Sequence, residues 1–178
     1  MNSKRAYEIA FVGLKQGEHL FEYELEESFF IEKGSLIESG IKANVKVSLD
    51  KHTGFMMLKF ITDGSSLLNC DRCGNELEVS LWDEFNLVIK LVENPAEMNE
   101  SEEDPDIFYI ARSESHIEIS DWLYEFVILS IPTQNICKND ENDVSLCNKD
   151  VLEKLEKMNK EVVVENTIWK GLEKFKKN

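Results

Sequence analysis

Four cysteines, Cys70, Cys73, Cys137 and Cys147, are the residues of this chain best suited to chemistry. The first two form a C-x-x-C-G turn, Cys70-Asp71-Arg72-Cys73-Gly74, between two stretches that read as strands. That spacing lets two thiolates converge on one ion, and Gly74 lets the backbone turn tightly behind the second. Cys137 and Cys147 flank the loop KNDENDVSL, shortly after Pro132. Together the four sulfurs make a closed tetrahedral set, the structural form of zinc binding, with no position left for water or substrate. We expect one structural zinc on Cys70, Cys73, Cys137 and Cys147. Two alternatives stay open, unrelated free thiols and a redox pair. A redox C-x-x-C opens a helix, whose N-terminus lowers the thiol pKa; here a strand is expected to follow, which weakens that reading. Nine residues between Cys137 and Cys147 exceed a knuckle, so this loop has to fold back on itself.

No other catalytic constellation stands out. There is no P-loop, G-x-G-x-x-G, H-E-x-x-H or G-x-S-x-G. His19, His52 and His116 are scattered and read as surface or turn residues. Carboxylate pairs are too plentiful in so acidic a chain to mark a nuclease site. Trp122, Tyr124 and Phe126 offer rings for base stacking, yet Trp122 and Phe126 at i, i+4 read more simply as the inner face of a helix. The expectation is a non-enzyme without a small-molecule substrate.

The elements that would position the cysteines divide the chain in two. Residues 7–12, 19–26, 41–49 and 55–61 alternate apolar with polar, and Asp50-Lys51-His52-Thr53-Gly54 supplies a hairpin turn between the last two. A further strand runs over 76–81 and continues into 85–92. Residues 95–106, PAEMNESEEDPD, read as a solvated acidic linker. Beyond it Ser120 is a candidate N-cap for a helix over 121–129, stopped by Pro132. Short helices follow over 151–158 and 167–175, the second capped by Asn166. The predicted fold is α+β: a β-rich antiparallel body in the N-terminal half with a few short helices in the C-terminal half. We expect a single domain over 1–178, made of a β-rich half with the C-x-x-C (1–94), the acidic loop (95–106) and a mixed, helical half (107–178).

Charge narrows the partners. Thirty-five acidic against twenty basic side chains give a net charge of −15. Such a field repels phosphate backbones and suits a basic protein. The longest candidate stretch, 126–131, is far too short to cross a membrane. Residues 1–11, MNSKRAYEIAF, lack the apolar stretch and cleavage site of an export signal, so the cytoplasm is expected. In that reducing compartment metal ligation or free thiols are favoured over disulfides.

Several of these features occur in one order. Cys70, Arg72 and Cys73 form a C-x-R-C segment, and an Ile-Glu-Ile-Ser stretch leads into a helix carrying Glu125, Leu129 and Pro132. Asn166, Trp169 and Leu172 mark a terminal helix. The pattern resembles the YceD family, the large ribosomal RNA subunit accumulation proteins, across most of the chain. Thr167 and Ile168 replace that family's usual Pro-Arg, and Cys137 and Cys147 correspond only loosely to its later cysteines. The resemblance implies a ribosome-biogenesis factor that supports 23S rRNA accumulation and large-subunit assembly. Its partner would be a basic large-subunit ribosomal protein or a pre-50S particle. Arg72, Trp169, Lys170 and Lys174 are the residues expected to touch partner or RNA. Two rival readings differ in class: a zinc-stabilised protein–protein adaptor unrelated to ribosomes, and a thiol-redox protein.

Overall fold

The alternation in residues 41–49 is realised as a strand with one buried and one solvated face. A computed structural model describes residues 3–34, 40–142 and 144–161. In it, strand β3 (Lys42–Lys51) buries Ala43, Val45, Val47 and Leu49, while Lys42, Asn44 and Lys46 are exposed. β3 lies in a five-stranded sheet of order β2-β3-β4-β5-β6. The other strands are β2 (Gly17–Leu25), β4 (Phe55–Asn69), β5 (Glu76–Val92) and β6 (Ile107–Ala111). β2, β3 and β4 are antiparallel, with Phe21 opposite Val47 and Val47 opposite Phe60. The β3–β4 hairpin closes at Gly54, whose φ of 87° suits a residue without a Cβ. Fold class and strand-rich N-terminal half are as the alternation predicts. The stretches 76–81 and 85–92 form one unbroken strand, β5.

Three details differ from the sequence reading. β6 pairs with β5 in parallel, Ile89 beside Phe108, so the sheet is not wholly antiparallel. Residues 93–106 supply the crossover of about a dozen residues that a parallel pair needs. Part of that crossover is helix α2 (Pro95–Ser101), where a linker is predicted. Pro95 fits the first turn, where its missing N–H would have no partner in any case. α2 buries no residue, and polar bonds tie it to β6 instead. Asn99 Nδ2 donates to the Tyr109 carbonyl at 2.9 Å, and the Tyr109 N–H donates to Asn99 Oδ1 at 2.8 Å. The Tyr109 hydroxyl donates to Glu102 at 2.6 Å. Of the strand expected over 7–12, only β1 (Glu8–Ile9) forms, after a 3-10 turn at Ser3–Tyr7; β1 pairs with β7 (Ile117–Glu118) in a two-stranded sheet.

Helix α1 (Glu27–Glu32) follows β2 and buries Phe29 and Phe30. Helix α3 (Ser120–Leu129) begins with Ser120 as its first residue, so Ile119 and not Ser120 is the cap. The Ser120 N–H donates to Glu118 Oε1 at 2.9 Å, and its hydroxyl is taken by Lys33 Nζ at 2.8 Å. α3 ends at Leu129, with Ser130 as its C-cap, ahead of Pro132. Its inner face presents Leu123, Phe126 and Val127 to the core. Phe126 stacks on Phe85 with centroids 4.4 Å apart and meets the edge of Phe60 at 4.9 Å. Trp122 is only half-buried and packs edge-on against Phe108.

The described residues separate into two compact units. The larger takes Met1–Leu68 and Glu78–Thr133 and holds every large side chain that is fully buried, Phe30, Phe60 and Leu123 among them. The smaller takes Asn69–Leu77 and the described part of Gln134–Asn178. It contains helix α4 (Lys149–Glu161), capped by Asn148, whose Oδ1 accepts the Asp150 N–H at 3.0 Å. The helix expected over 167–175 lies outside the described residues. Among the described residues no helix is long and apolar enough to cross a membrane.

Candidate metal centre

β4 ends at Asn69 and β5 starts at Glu76, so Cys70 and Cys73 sit in the turn between two long strands. The Cys70 N–H donates to the Asn75 carbonyl at 2.7 Å and the Gly74 N–H to the Cys70 carbonyl at 2.9 Å. Gly74 has φ 75°, the left-handed region that a side chain would strain.

The second cysteine pair reaches this turn through Asp71 and Asn135. The Asp71 N–H donates to the Asn135 carbonyl and the Asn135 N–H to the Asp71 carboxylate, each at 2.7 Å. These bonds bring Cys137 to the turn, where its N–H donates to Cys70 Sγ at 3.4 Å. The following loop then folds back as a miniature hairpin bridged at Asn139 and Ser145. Asp140 Oδ1 accepts the N–H groups of Asn142 and Val144 at 2.9 and 2.8 Å, an Asx turn that reverses the chain and returns Cys147.

All four sulfurs lie within 4.8 Å of one another, and all four cysteines are buried and free of disulfides. Cys73 and Cys137 are 3.6 Å apart at sulfur, Cys70 and Cys147 3.9 Å. A tetrahedron with metal–sulfur bonds of about 2.3 Å has edges of about 3.8 Å, and the two separations bracket it. Neither approaches the ~2.05 Å of a disulfide. The donor set therefore fits a metal ion that prefers four soft ligands. Among the described residues this is the group of metal-ligating side chains that converges on one point.

The electrostatics are uneven. Burial opposes charge on Cys70, yet the N–H groups of Cys137, Arg72 and Cys73 point at its sulfur and bring the pKa down to about 6. Burial and the neighbouring thiols push Cys137 up to about 12. Sulfurs this close repel one another as thiolates unless a cation lies among them. Among the described residues, Leu77, Ile136, Val151 and Leu152 pack around them, all half-buried. No large side chain of this unit is fully buried among the described residues, so little apolar surface holds it together.

Arg72 is exposed, between the first two cysteines. Trp169, Lys170 and Lys174 lie outside the described residues. The histidines are engaged locally: His19 with the Lys15 carbonyl, His52 with Asp50 and stacked on Phe55, His116 with Ser115. Asp71, Asn135 and Asp140, which shape the centre, escape the sequence reading. Their signal was an Asp inside the C-x-x-C and an Asn-Asp-Glu-Asn run between the later cysteines.

No curated protein and no solved structure matches the chain. A family model described as Large ribosomal RNA subunit accumulation protein YceD matches residues 58–176. The matched stretch is more than half of the chain and takes in most of β4, all of β5, the four cysteines and α3. With that coverage, the chain belongs to the YceD family of large ribosomal RNA subunit accumulation proteins.

Proposed function

We propose that this chain is a non-catalytic, cytoplasmic ribosome-biogenesis factor that supports 23S rRNA accumulation and large-subunit assembly by docking onto a basic ribosomal protein. The observation that carries the reading is the family match over residues 58–176, with the cysteine cluster inside it. Zinc held by Cys70, Cys73, Cys137 and Cys147 would supply structure and no reaction step, because four sulfurs close the coordination shell. Segments 1–68 and 78–133 carry 24 of the 35 acidic side chains against 10 of the 20 basic ones, −14 of the net −15. A basic partner is drawn to that field, whereas RNA is repelled by it. Arg72, with Trp169, Lys170 and Lys174, would make a secondary contact to RNA. The whole of 1–178 would act as one functional domain.

The test is co-sedimentation of the tagged chain with large-subunit precursors, followed by pull-down of purified large-subunit ribosomal proteins at low and high salt. Binding that weakens as salt rises supports a charge-led contact; binding indifferent to salt contradicts it. Absence from precursor particles would leave an adaptor that works away from ribosomes.

A further inference from the structure

The two edges of the five-stranded sheet are treated differently. At the β6 edge, the Asn99 side chain occupies both the N–H and the C=O of Tyr109, as a neighbouring strand would. At the β2 edge, among the described residues, no hydrogen bond from another element reaches the outward backbone groups. Among the described residues, the alternate N–H and C=O groups of β2 that face away from β3 thus have no strand partner, the template onto which an extended chain adds.

The side chains on that edge select what can add. Glu18, Leu20, Glu22 and Glu24 line the exposed face of β2, and Leu20 is 74% exposed. His19, Phe21 and Tyr23 alternate with them, only half-buried. Glu18 accepts a hydrogen bond from Ser48, and Glu22 lies 3.8 Å from Lys46, both on the inner neighbour β3. Glu24 stands opposite the neutral Asn44. A second copy of this chain is a poor occupant. Antiparallel pairing of two β2 strands centred on Phe21 sets Glu18 against Glu24 of the other copy, and like charges directly opposite destabilise a sheet. A strand with Lys or Arg at alternate positions reverses every one of those terms.

We infer that β2 is a docking edge, which takes an extended basic segment of a partner protein as a sixth strand. The inference deepens the proposed ribosomal role and rests on it for the partner's class. Backbone hydrogen bonds would supply the geometry; Glu18, Glu22 and Glu24 would choose the sequence.

The probe is a nine-residue peptide of alternating Lys and Val, titrated against the full chain by fluorescence anisotropy, with amide exchange read by NMR. We expect saturable binding, slowed exchange within residues 17–25, and affinity about tenfold weaker for the double variant Glu22→Lys with Glu24→Lys. Peptides N-methylated at alternate amides, in the phase that faces β2, should not bind. Equal binding by both N-methylated phases, or protection confined to other strands, overturns the inference. Co-sedimentation separates the two readings. A double variant that reaches precursor particles as well as the natural chain refutes the edge and leaves the ribosomal role standing. A natural chain that binds the peptide but never meets those particles refutes the role and leaves the edge.

Discussion

Replacing Cys147 by Ser removes one of four sulfurs from the cluster and changes little else. The shell of Leu77, Ile136, Val151 and Leu152 keeps its atoms, so packing loss is small. What changes is the ligand set. Structural zinc binds with about 10–16 kcal/mol of apparent free energy, roughly 2.5–4 kcal/mol per sulfur if shared evenly. At about 1.4 kcal/mol per factor of ten, Cys147→Ser should weaken binding of the proposed zinc by about 10²–10³-fold. Competition with a chromophoric chelator measures that ratio, and elemental analysis of the purified protein fixes the stoichiometry. A second readout follows from how little the small unit buries. When a chelator strips the natural chain, amide protection should vanish over residues 69–77 and 134–161. Protection in β3 should persist, because its core is built from fully buried side chains elsewhere. Two results would refute the reasoning: affinity for zinc within threefold of the natural chain, or a small unit that stays protected without an ion.

Two further outcomes are expected. Tyr109→Phe should make stability less dependent on pH at both extremes. The hydrogen bond from Tyr109 holds the Glu102 carboxyl below its ordinary value of 4.5, and the same bond raises Tyr109 above 10.0. A depressed carboxylate stabilises above about pH 4.5 and loses that contribution as pH falls, and the raised phenol loses its own as pH climbs past 10. The gap in urea midpoint between natural and variant chains should therefore be widest near neutrality and shrink by pH 3. A gap unchanged from pH 7 to 3 contradicts the assignment. Gly64→Ala should destabilise by about 3 kcal/mol or more. A Cβ there falls 2.2 Å from the Lys42 carbonyl oxygen and 2.9 Å from Ala43 Cα, both backbone atoms of β3. Gly13→Ala, which meets nothing within 4 Å, is the control, and equal urea midpoints for the two variants would be decisive against the clash.

Alternation made β2, β3 and β4 legible, because each has one face in the core and one in water. The same rule could not reveal that β6 runs parallel to β5. Pairing partners depend on a crossover, and the acidic composition of 95–106 concealed the helix within it. α2 buries nothing, so no apolar stripe announces it; Asn99, through two bonds to Tyr109, and the following Glu102, through one, hold it. Ser120 looked like a cap because its residue type suits one. The preceding Glu118 carboxylate took the N–H instead, leaving the hydroxyl to Lys33. At the centre, the C-x-x-C turn was plain from spacing. That Cys137 and Cys147 join it followed from the ligand count, but the means did not, since their approach depends on Asp71 meeting Asn135 and on Asp140 reversing the loop. Those are side-chain bonds between segments far apart in sequence, invisible to periodicity.

The order in which the ligands are made has a consequence for synthesis. Cys73 and Cys137 are separated by 64 residues, and Cys70 and Cys147 by 77. At about 5–20 residues per second, some 3–15 seconds pass between translation of the first pair and of the last. During that interval the nascent chain offers an ion only two thiols, at the tip of a strand pair that can already form. The full set of four sulfurs exists only once Cys147 has cleared the exit tunnel, so the small unit assembles last.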